Sequence, residues 1–259
     1  MSVITFSCVL LKNRNSAFWQ TAVITLQKIK SNERQTHTPA PRQARSEVTR
    51  QTMMRAAEKL FARKGPENVT ARAIVEAAGQ KNESALQYHF GGRKGLVREI
   101  HKYWSDAISE QRAALISEIG PPTSLRDIVL IMFTPGFSLA TQDPAYRRYV
   151  KAFGPEIVLS ELPAITRVPA RKGANRLIEV LQAKLPHLCD ETLGQRLDWA
   201  IRVASMSIAQ QAGKKNAFKG KPAELAYHQT IDAMVGILGA EVSREAQALE
   251  PNALERVDG

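Results

Sequence analysis

Residues 69–96 read VTARAIVEAAGQKNESALQYHFGGRKGL, and this stretch decides the fold. Thr70 suits the start of a short helix, because its hydroxyl can accept a hydrogen bond from a free first-turn amide. Gly79 ends that helix, since glycine adopts backbone conformations that other residues avoid. A further short helix, capped by Asn82, ends at Gly91. The pattern predicts a helix-turn-helix unit.

The second of these helices has an apolar side and a polar side. Leu86 and Phe90 are one turn apart and face the core. The opposite side carries small, hydroxyl and amide side chains, namely Ser84, Ala85, Gln87 and Tyr88. Such a surface can enter a DNA major groove, where glutamine suits adenine and small residues suit the thymine methyl group. Helix starts with basic side chains suit phosphates, and here these residues are Thr70, Arg72, Arg93 and Lys94.

Helices are also predicted on both sides of this unit. Apolar residues at helical spacing indicate a first helix that is capped by Thr49 and ends at Gly65. A long helical pattern starts at Arg93 and runs beyond Trp104. The block therefore reads as a three-helix unit followed by a long fourth helix.

The rest of the chain also has helical spacing, in five segments: 125–132, 144–153, 174–185, 190–212 and 222–242. Pro135 is expected to interrupt the first segment, and Asp190 or Thr192 to cap the fourth. No run alternates with the period of a strand, so the predicted fold class is all-α.

The positive charge lies in the first part of the chain. The net charge is +11, and residues 48–104 carry eleven Lys/Arg against five Asp/Glu. Residues 1–47 carry seven against two, whereas residues 105–259 carry eighteen of each. This asymmetry predicts a polyanionic partner for the first part, either nucleic acid or an anionic membrane.

Composition excludes several classes of protein. The chain has 259 residues, of which 44% are hydrophobic and 24% charged, as in ordinary globular proteins. No apolar run is long enough for a transmembrane helix, so no membrane partner is predicted. Cys8 and Cys189 lie far apart, which argues against a zinc site or a disulfide framework and favours the cytoplasm.

Residues 1–47 differ in character from the rest of the chain. The apolar run Val3–Leu11 precedes Lys12 and Arg14, which is the reverse of the order in a secretory signal. The stretch 31–46 is polar and reads as a flexible linker. We interpret the segment as a basic, disordered extension or a translation start placed too early. The alternative is a basic arm that lies on DNA phosphates.

Three stretches resemble the tetracycline-repressor (TetR) family of bacterial regulators. They are 49–65 (TRQTMMRAAEKLFARKG), 69–79 (VTARAIVEAAG) and 86–96 (LQYHFGGRKGL), and they occur in the order of that family's motifs. The turn between Gly79 and Leu86 is one residue longer than the commonest family pattern. The resemblance implies a homodimeric transcription factor, most often a repressor, with an amino-terminal operator-binding domain and a larger helical domain that binds a small molecule and dimerises.

The resemblance also implies domain limits and site residues. The expected parts are the extension 1–47, the DNA-binding domain 48–104, the ligand-binding and dimerisation domain 105–242 and a polar tail 243–259. The residues expected at double-stranded operator DNA are Arg50, Thr70, Arg72, Asn82, Ser84, Ala85, Gln87, Tyr88, His89, Arg93 and Lys94. The two long apolar helices near the end, 192–212 and 222–242, suit a four-helix dimer seam.

Aromatic and methionine side chains on the middle helices are candidates for an effector pocket. They are Trp104, Met132, Phe133, Phe137, Tyr146, Tyr149, Phe153 and Trp199. We therefore expect a largely apolar small-molecule effector. The basic residues that either meet an acidic group of that effector or lie on the surface are Arg147, Arg148, Lys151 and His187.

Other functions stay open on the sequence alone. An enzyme is disfavoured, because the chain has no nucleophile elbow, Walker loop or HExxH motif, and no cofactor, catalytic residue or metal site is predicted. A dimeric small-molecule-binding protein without specific DNA readout is one alternative. A transcriptional activator is another, because promoter geometry rather than the regulator's sequence separates activators from repressors.

Overall fold

The computed structural model describes residues 41–119, 122, 124–159 and 174–249, and within these ranges it contains ten α-helices and no strand. The helices are α1 (Pro41–Lys64), α2 (Ala71–Ala77), α3 (Ser84–Phe90), α4 (Arg93–Ile119), α5 (Leu125–Gln142), α6 (Pro144–Leu159), α7 (Ala174–Lys184), α8 (Asp190–Ala212), α9 (Gly220–Gly239) and α10 (Arg244–Gln247). The all-α prediction is confirmed. The predictions for residues 1–40 and 250–259 lie outside the described residues.

The turns of the amino-terminal unit form as predicted. The Thr70 hydroxyl accepts a hydrogen bond from the Ala73 amide at 3.2 Å and caps α2. Gly79 and Gly91 follow α2 and α3 with φ of 69° and 68°, in the left-handed region that favours glycine. These turns allow α3 to cross α2 while keeping its apolar side inside.

The start of α1 differs from the prediction. Helix α1 begins at Pro41, so Thr49 lies inside it and does not cap it. The Thr49 hydroxyl instead donates to the carbonyl of Arg45 at 3.0 Å, one turn back. Proline is tolerated in a first helical turn, where its missing amide has no partner to lose. The linker predicted for residues 31–46 is therefore wrong from Pro41 onward.

The start of α3 is also displaced. The cap residue is Glu83, which makes no capping side-chain bond, rather than Asn82. Glu83 already has helical dihedrals, and the Asn82 side-chain oxygen accepts a hydrogen bond from the Ser84 hydroxyl. The chain thus enters α3 without an extended cap residue. The prediction that Asn82 caps this helix is wrong.

Helix α5 continues through Pro135, which was expected to interrupt it. Pro135 removes one backbone donor, but it is buried, and so are Phe133 and Phe137 on the same helix. Apolar burial along the helix offsets the lost hydrogen bond. The start of α5 agrees with the prediction, since Ser124 and Asp127 form a reciprocal capping box.

Helix α8 is capped by Cys189, not by either predicted residue. The Cys189 sulfur accepts a hydrogen bond from the Thr192 amide at 3.5 Å. Sulfur is a weak acceptor, but its position one residue before Asp190 suits the geometry of a cap.

The amino-terminal unit and the remaining helices share one core. Helix α6 packs against α8 and against α1, while α5 packs against α4 and α9. The ring centroids of Phe61 on α1 and Phe153 on α6 are 5.6 Å apart. Movement in the larger helical part can therefore reach α1 directly as well as along α4.

Candidate nucleic-acid interface

Helix α3 presents a polar surface to solvent. Leu86 and Phe90 are buried on its inner side, as the helical spacing predicted. On the outer side Tyr88 is 80% exposed, and Ser84 and Gln87 are exposed beside it. The helix therefore offers exposed hydroxyl and amide groups to a partner outside the domain.

His89 and Ala85 border this surface. The rings of Tyr88 and His89 meet edge to face with centroids 5.0 Å apart, which limits the orientations of both side chains. Ala85 is partly buried and packs against the core. The exposed set on α3 is therefore Ser84, Gln87 and Tyr88, with His89 and Ala85 at its border.

Arg50 holds α3 from behind. Its guanidinium donates to the carbonyl of His89 at 2.5 Å and to the Glu99 carboxylate at 2.6 Å. It also lies 4.7 Å from the centre of the Phe90 ring. These contacts join α1, α3 and α4, so the structure does not bring Arg50 together with the exposed residues, and we expect it to position α3.

Arg93 has a similar internal role. Its Nε donates to the carbonyl of Val69 at 2.8 Å, and its Nη2 donates to the carbonyl of Pro66. The guanidinium also faces the Phe61 ring. Arg93 therefore joins the start of α4 to the loop before α2, and two of its five N–H donors are used inside the domain.

Other polar side chains form an exposed rim beside α3. Thr70 is exposed at the start of α2 and Lys94 at the start of α4. Arg72 is exposed and pairs with Glu76 at 2.8 Å, one turn along α2. An exposed pair of this kind holds its partners weakly, so Arg72 can exchange Glu76 for a phosphate.

The comparison with known proteins identifies this unit. Residues 53–100 match the family model described as bacterial regulatory proteins, tetR family. The unit belongs to the tetR family. It is therefore the DNA-binding domain of a family of transcriptional regulators. The comparisons with curated proteins and with solved structures give no significant match.

One exposed basic residue of the TetR domain was missed in the sequence. Lys81 lies in the turn between α2 and α3, and no hydrogen bond or ion pair joins it to another described residue. Its position just before Asn82 places its charge beside the exposed side of α3. The only sign of such a role in the sequence is that a lysine lies inside the predicted turn. Residue type alone does not distinguish it from an ordinary surface lysine.

Lys94 and Arg93 are neighbours with different expected roles, which substitution by alanine can separate. Lys94→Ala should weaken binding to all DNA sequences alike and reduce the slope of log affinity against log salt by about one, because one phosphate contact is lost. Arg93→Ala should instead lower the free energy of unfolding by about 1–3 kcal/mol. Fluorescence anisotropy over a salt series and urea unfolding measure the two effects. Equal unfolding curves for both variants would contradict this assignment.

The candidate pocket residues fall into two aromatic clusters. The first contains Trp104, Tyr146, Tyr149 and Phe153, with neighbouring ring centroids 5.0–6.1 Å apart. The second contains Phe133 and Phe137, which pack with Phe218 and Tyr227. Met132 is only partly buried. The structure therefore separates the predicted set into a cluster between α4 and α6 and another between α5 and α9.

Trp199 belongs to neither cluster. Its side chain is 52% exposed on the outer side of α8, whereas the sequence analysis predicts it in the effector pocket. Its place on an exposed helix face separates it from the buried aromatic residues, so that prediction does not agree with the structure.

Two further sequence expectations concern membranes and metals. Within the described ranges, no helix has the length and apolar character needed to cross a membrane. The same ranges contain no group of three or more His, Cys, Asp or Glu residues that could hold a metal ion.

Proposed function

We propose that this chain is a homodimeric, sequence-specific repressor that acts in the cytoplasm and releases its operator when a small molecule binds. The observation that carries the proposal is the exposed hydroxyl and amide surface of α3, held from behind by Arg50 inside a TetR-type domain. Residues 48–104 would form the DNA-binding domain, with α1 starting before it. Residues 105–242 would form the effector and dimerisation domain.

Exposed apolar residues on the last long helices support the dimer. Trp199 and Met206 lie two turns apart on the same side of α8, and both are exposed. Leu225 is exposed at the start of α9, which the Ser207–Thr230 hydrogen bond joins to α8. Exposed apolar groups on paired helices are typical of a symmetric helical interface. Such a dimer would present its two α3 helices about one duplex turn apart, roughly 34 Å.

A direct connection between the aromatic cluster and α1 supports the ligand response. Trp104 donates from its indole nitrogen to the Glu58 carboxylate at 2.7 Å, and Arg55 pairs with the same carboxylate at 3.0 Å. Glu58 is completely buried. A ligand that displaces Trp104 would disturb α1, and it favours release only if it binds the released conformation more tightly. Coupling of this kind is reciprocal, so operator must weaken effector binding by the same factor.

The Glu58 connection has a testable pH dependence. Burial raises the pKa of Glu58, while Arg55, Trp104 and Arg148 act in the opposite direction. Because the folded protein then holds this proton at higher pH than the unfolded chain, the free energy of unfolding should fall as pH rises above about 4.5, by up to about 1.4 kcal/mol per pH unit. Glu58→Gln removes the titrating carboxyl group and keeps an acceptor for Trp104.

Urea unfolding of wild type and Glu58→Gln from pH 4 to pH 7 measures the difference. The wild type should lose stability relative to the variant as pH rises, and the two should converge at the acidic end. Parallel curves, or a wild type that gains relative stability with pH, would show that the carboxylate is not destabilised by its surroundings.

Gln87 should contribute to sequence preference. Its side chain is exposed on the reading surface of α3, so Gln87→Ala should change preference at one base position by about 1–3 kcal/mol. Competition binding with single-base operator variants measures that preference. A uniform loss of affinity across all variants would mean that Gln87 contacts the DNA backbone.

Binding to DNA upstream of the protein's own gene tests the proposed function. Anisotropy over a salt series should show a preference of about a thousandfold or more over scrambled DNA. Equal affinity for both would favour a ligand-binding protein without specific readout. A reporter gene placed downstream of the bound site distinguishes a repressor from an activator, since a repressor lowers expression and an activator raises it.

A further inference from the structure

A partly buried arginine with an enclosed Nε and no anionic partner lies beside the first aromatic cluster. Arg112 is on α4, eight residues after Trp104, and its Nε is enclosed without a hydrogen-bond partner. Its Nη2 makes one long contact, 3.4 Å from the carbonyl of Met132. Burial lowers the pKa of the Arg112 guanidinium, and Tyr146 is the neighbouring group that acts against this shift.

No carboxylate in the described part of the chain pairs with Arg112. The nearby acid on α4, Asp106, is bound to Lys102 at 3.0 Å. Buried charges in proteins are ordinarily paired, because an isolated charge loses its hydration without compensation. Arg112 therefore lacks the anion with which a buried arginine is ordinarily paired.

The groups around Arg112 suit one end of an amphipathic ligand. Tyr146 is a buried residue, and no hydrogen bond joins its hydroxyl to another described residue. Burial raises the pKa of Tyr146, so its hydroxyl stays protonated and can donate. Gly136 lies next to this hydroxyl, since a Cβ there would be in ordinary contact with it at 3.4 Å. The rings of Trp104 and Tyr146, 5.0 Å apart, supply an apolar wall.

We propose that the effector is an organic carboxylate whose anionic group pairs with Arg112 and accepts a hydrogen bond from Tyr146. Its apolar part packs on the rings of Trp104 and Tyr146. This inference rests on the proposed ligand response and adds a charged group to the largely apolar ligand expected from the sequence. One guanidinium balances one negative charge, and its planar donors match the geometry of a carboxylate.

The basic residues singled out in the sequence do not have this character. Lys151 and His187 are exposed, and Arg147 donates to the carbonyls of Ala140 and Thr141. The Arg148 Nε is also enclosed without a hydrogen-bond partner, but Arg148 has an anion nearby in Glu58. Arg112 was not singled out, because nothing in the local sequence distinguishes it from a surface arginine.

Thermal unfolding of the full chain tests the proposal with matched probes. The probes are the carboxylates 4-phenylbutyrate and hexanoate to dodecanoate, each compared with its neutral amide. The carboxylates should raise the Tm of the wild type and the amides should not. Arg112→Met should weaken carboxylate binding by about 10–100-fold, the loss of a charge-assisted hydrogen bond. Arg98→Met, an exposed arginine on the same helix, should respond like the wild type.

The unliganded protein gives a second readout. Arg112→Met should unfold at a higher temperature than the wild type without added ligand, because the variant does not bury an uncompensated charge. A lower Tm in that variant, an unchanged carboxylate response, or no response of the wild type to any carboxylate would overturn the proposal. Operator binding without ligand should be unchanged by Arg112→Met, so a failure of DNA binding is separable from a failure of this site.

Discussion

Replacing Gly95 with alanine is expected to abolish specific DNA binding and to lower the free energy of unfolding by about 3 kcal/mol. A Cβ at this position would lie 1.7 Å from the carbonyl oxygen of Phe90 and 2.8 Å from its carbonyl carbon. Both atoms are backbone, so no side-chain rotation can relieve the overlap. The start of α4 and the end of α3 must separate, which displaces the surface that carries Tyr88 and Gln87.

Urea unfolding and anisotropy with operator DNA measure the two effects. Gly194→Ala is the matched control, because it is the same substitution inside helix α8 and its Cβ would meet nothing within 4 Å. That control should keep or slightly increase stability, as alanine favours a helix over glycine. A Gly95→Ala protein that unfolds and binds like the wild type would show that the contact between α3 and α4 is looser than the structure has it.

Replacing Trp199 with arginine is expected to convert the proposed dimer to a monomer and to weaken operator binding by about a hundredfold or more. Trp199 is the largest exposed apolar side chain on α8. At a twofold interface each substitution occurs twice, so two charges would be buried without partners. Without the dimer, the two α3 helices are no longer linked, and each binds its half-site alone.

Sedimentation equilibrium measures the association state, and anisotropy measures the affinity. Leu249→Arg provides the control, since Leu249 is an exposed apolar residue beyond α10 and outside the proposed seam. That variant should remain dimeric and bind DNA normally. A dimeric Trp199→Arg protein would place the interface elsewhere on the molecule.

The predictions that agreed with the structure concern single helices and their ends. Leu86 and Phe90 are buried and Tyr88 is exposed because helical geometry alone separates these positions. Thr70 and Gly79 act locally, through hydrogen bonds and dihedral angles of residues close in sequence. Local physical chemistry decides such features, so the sequence was sufficient for them.

The predictions that disagreed concern helix limits where local signals are ambiguous. The polar composition predicts that Pro41 belongs to a linker, yet it occupies the first position of α1. Pro135 was expected to break α5, yet burial of its neighbours keeps the helix continuous. A proline has a known local cost, but only the tertiary packing shows whether burial exceeds that cost.

For this protein, the sequence by itself determined the all-α fold, the helix-turn-helix unit and the exposed polar surface of α3. These features arise from periodicity and capping, which operate over a few residues. Only the tertiary structure decided that Arg50 and Arg93 bind carbonyls inside the domain, that Trp199 lies outside the aromatic clusters and that Arg112 is enclosed without an anion. The physical reason is that a charged or aromatic side chain takes its role from partners on other helices. Those partners lie tens of residues away in sequence.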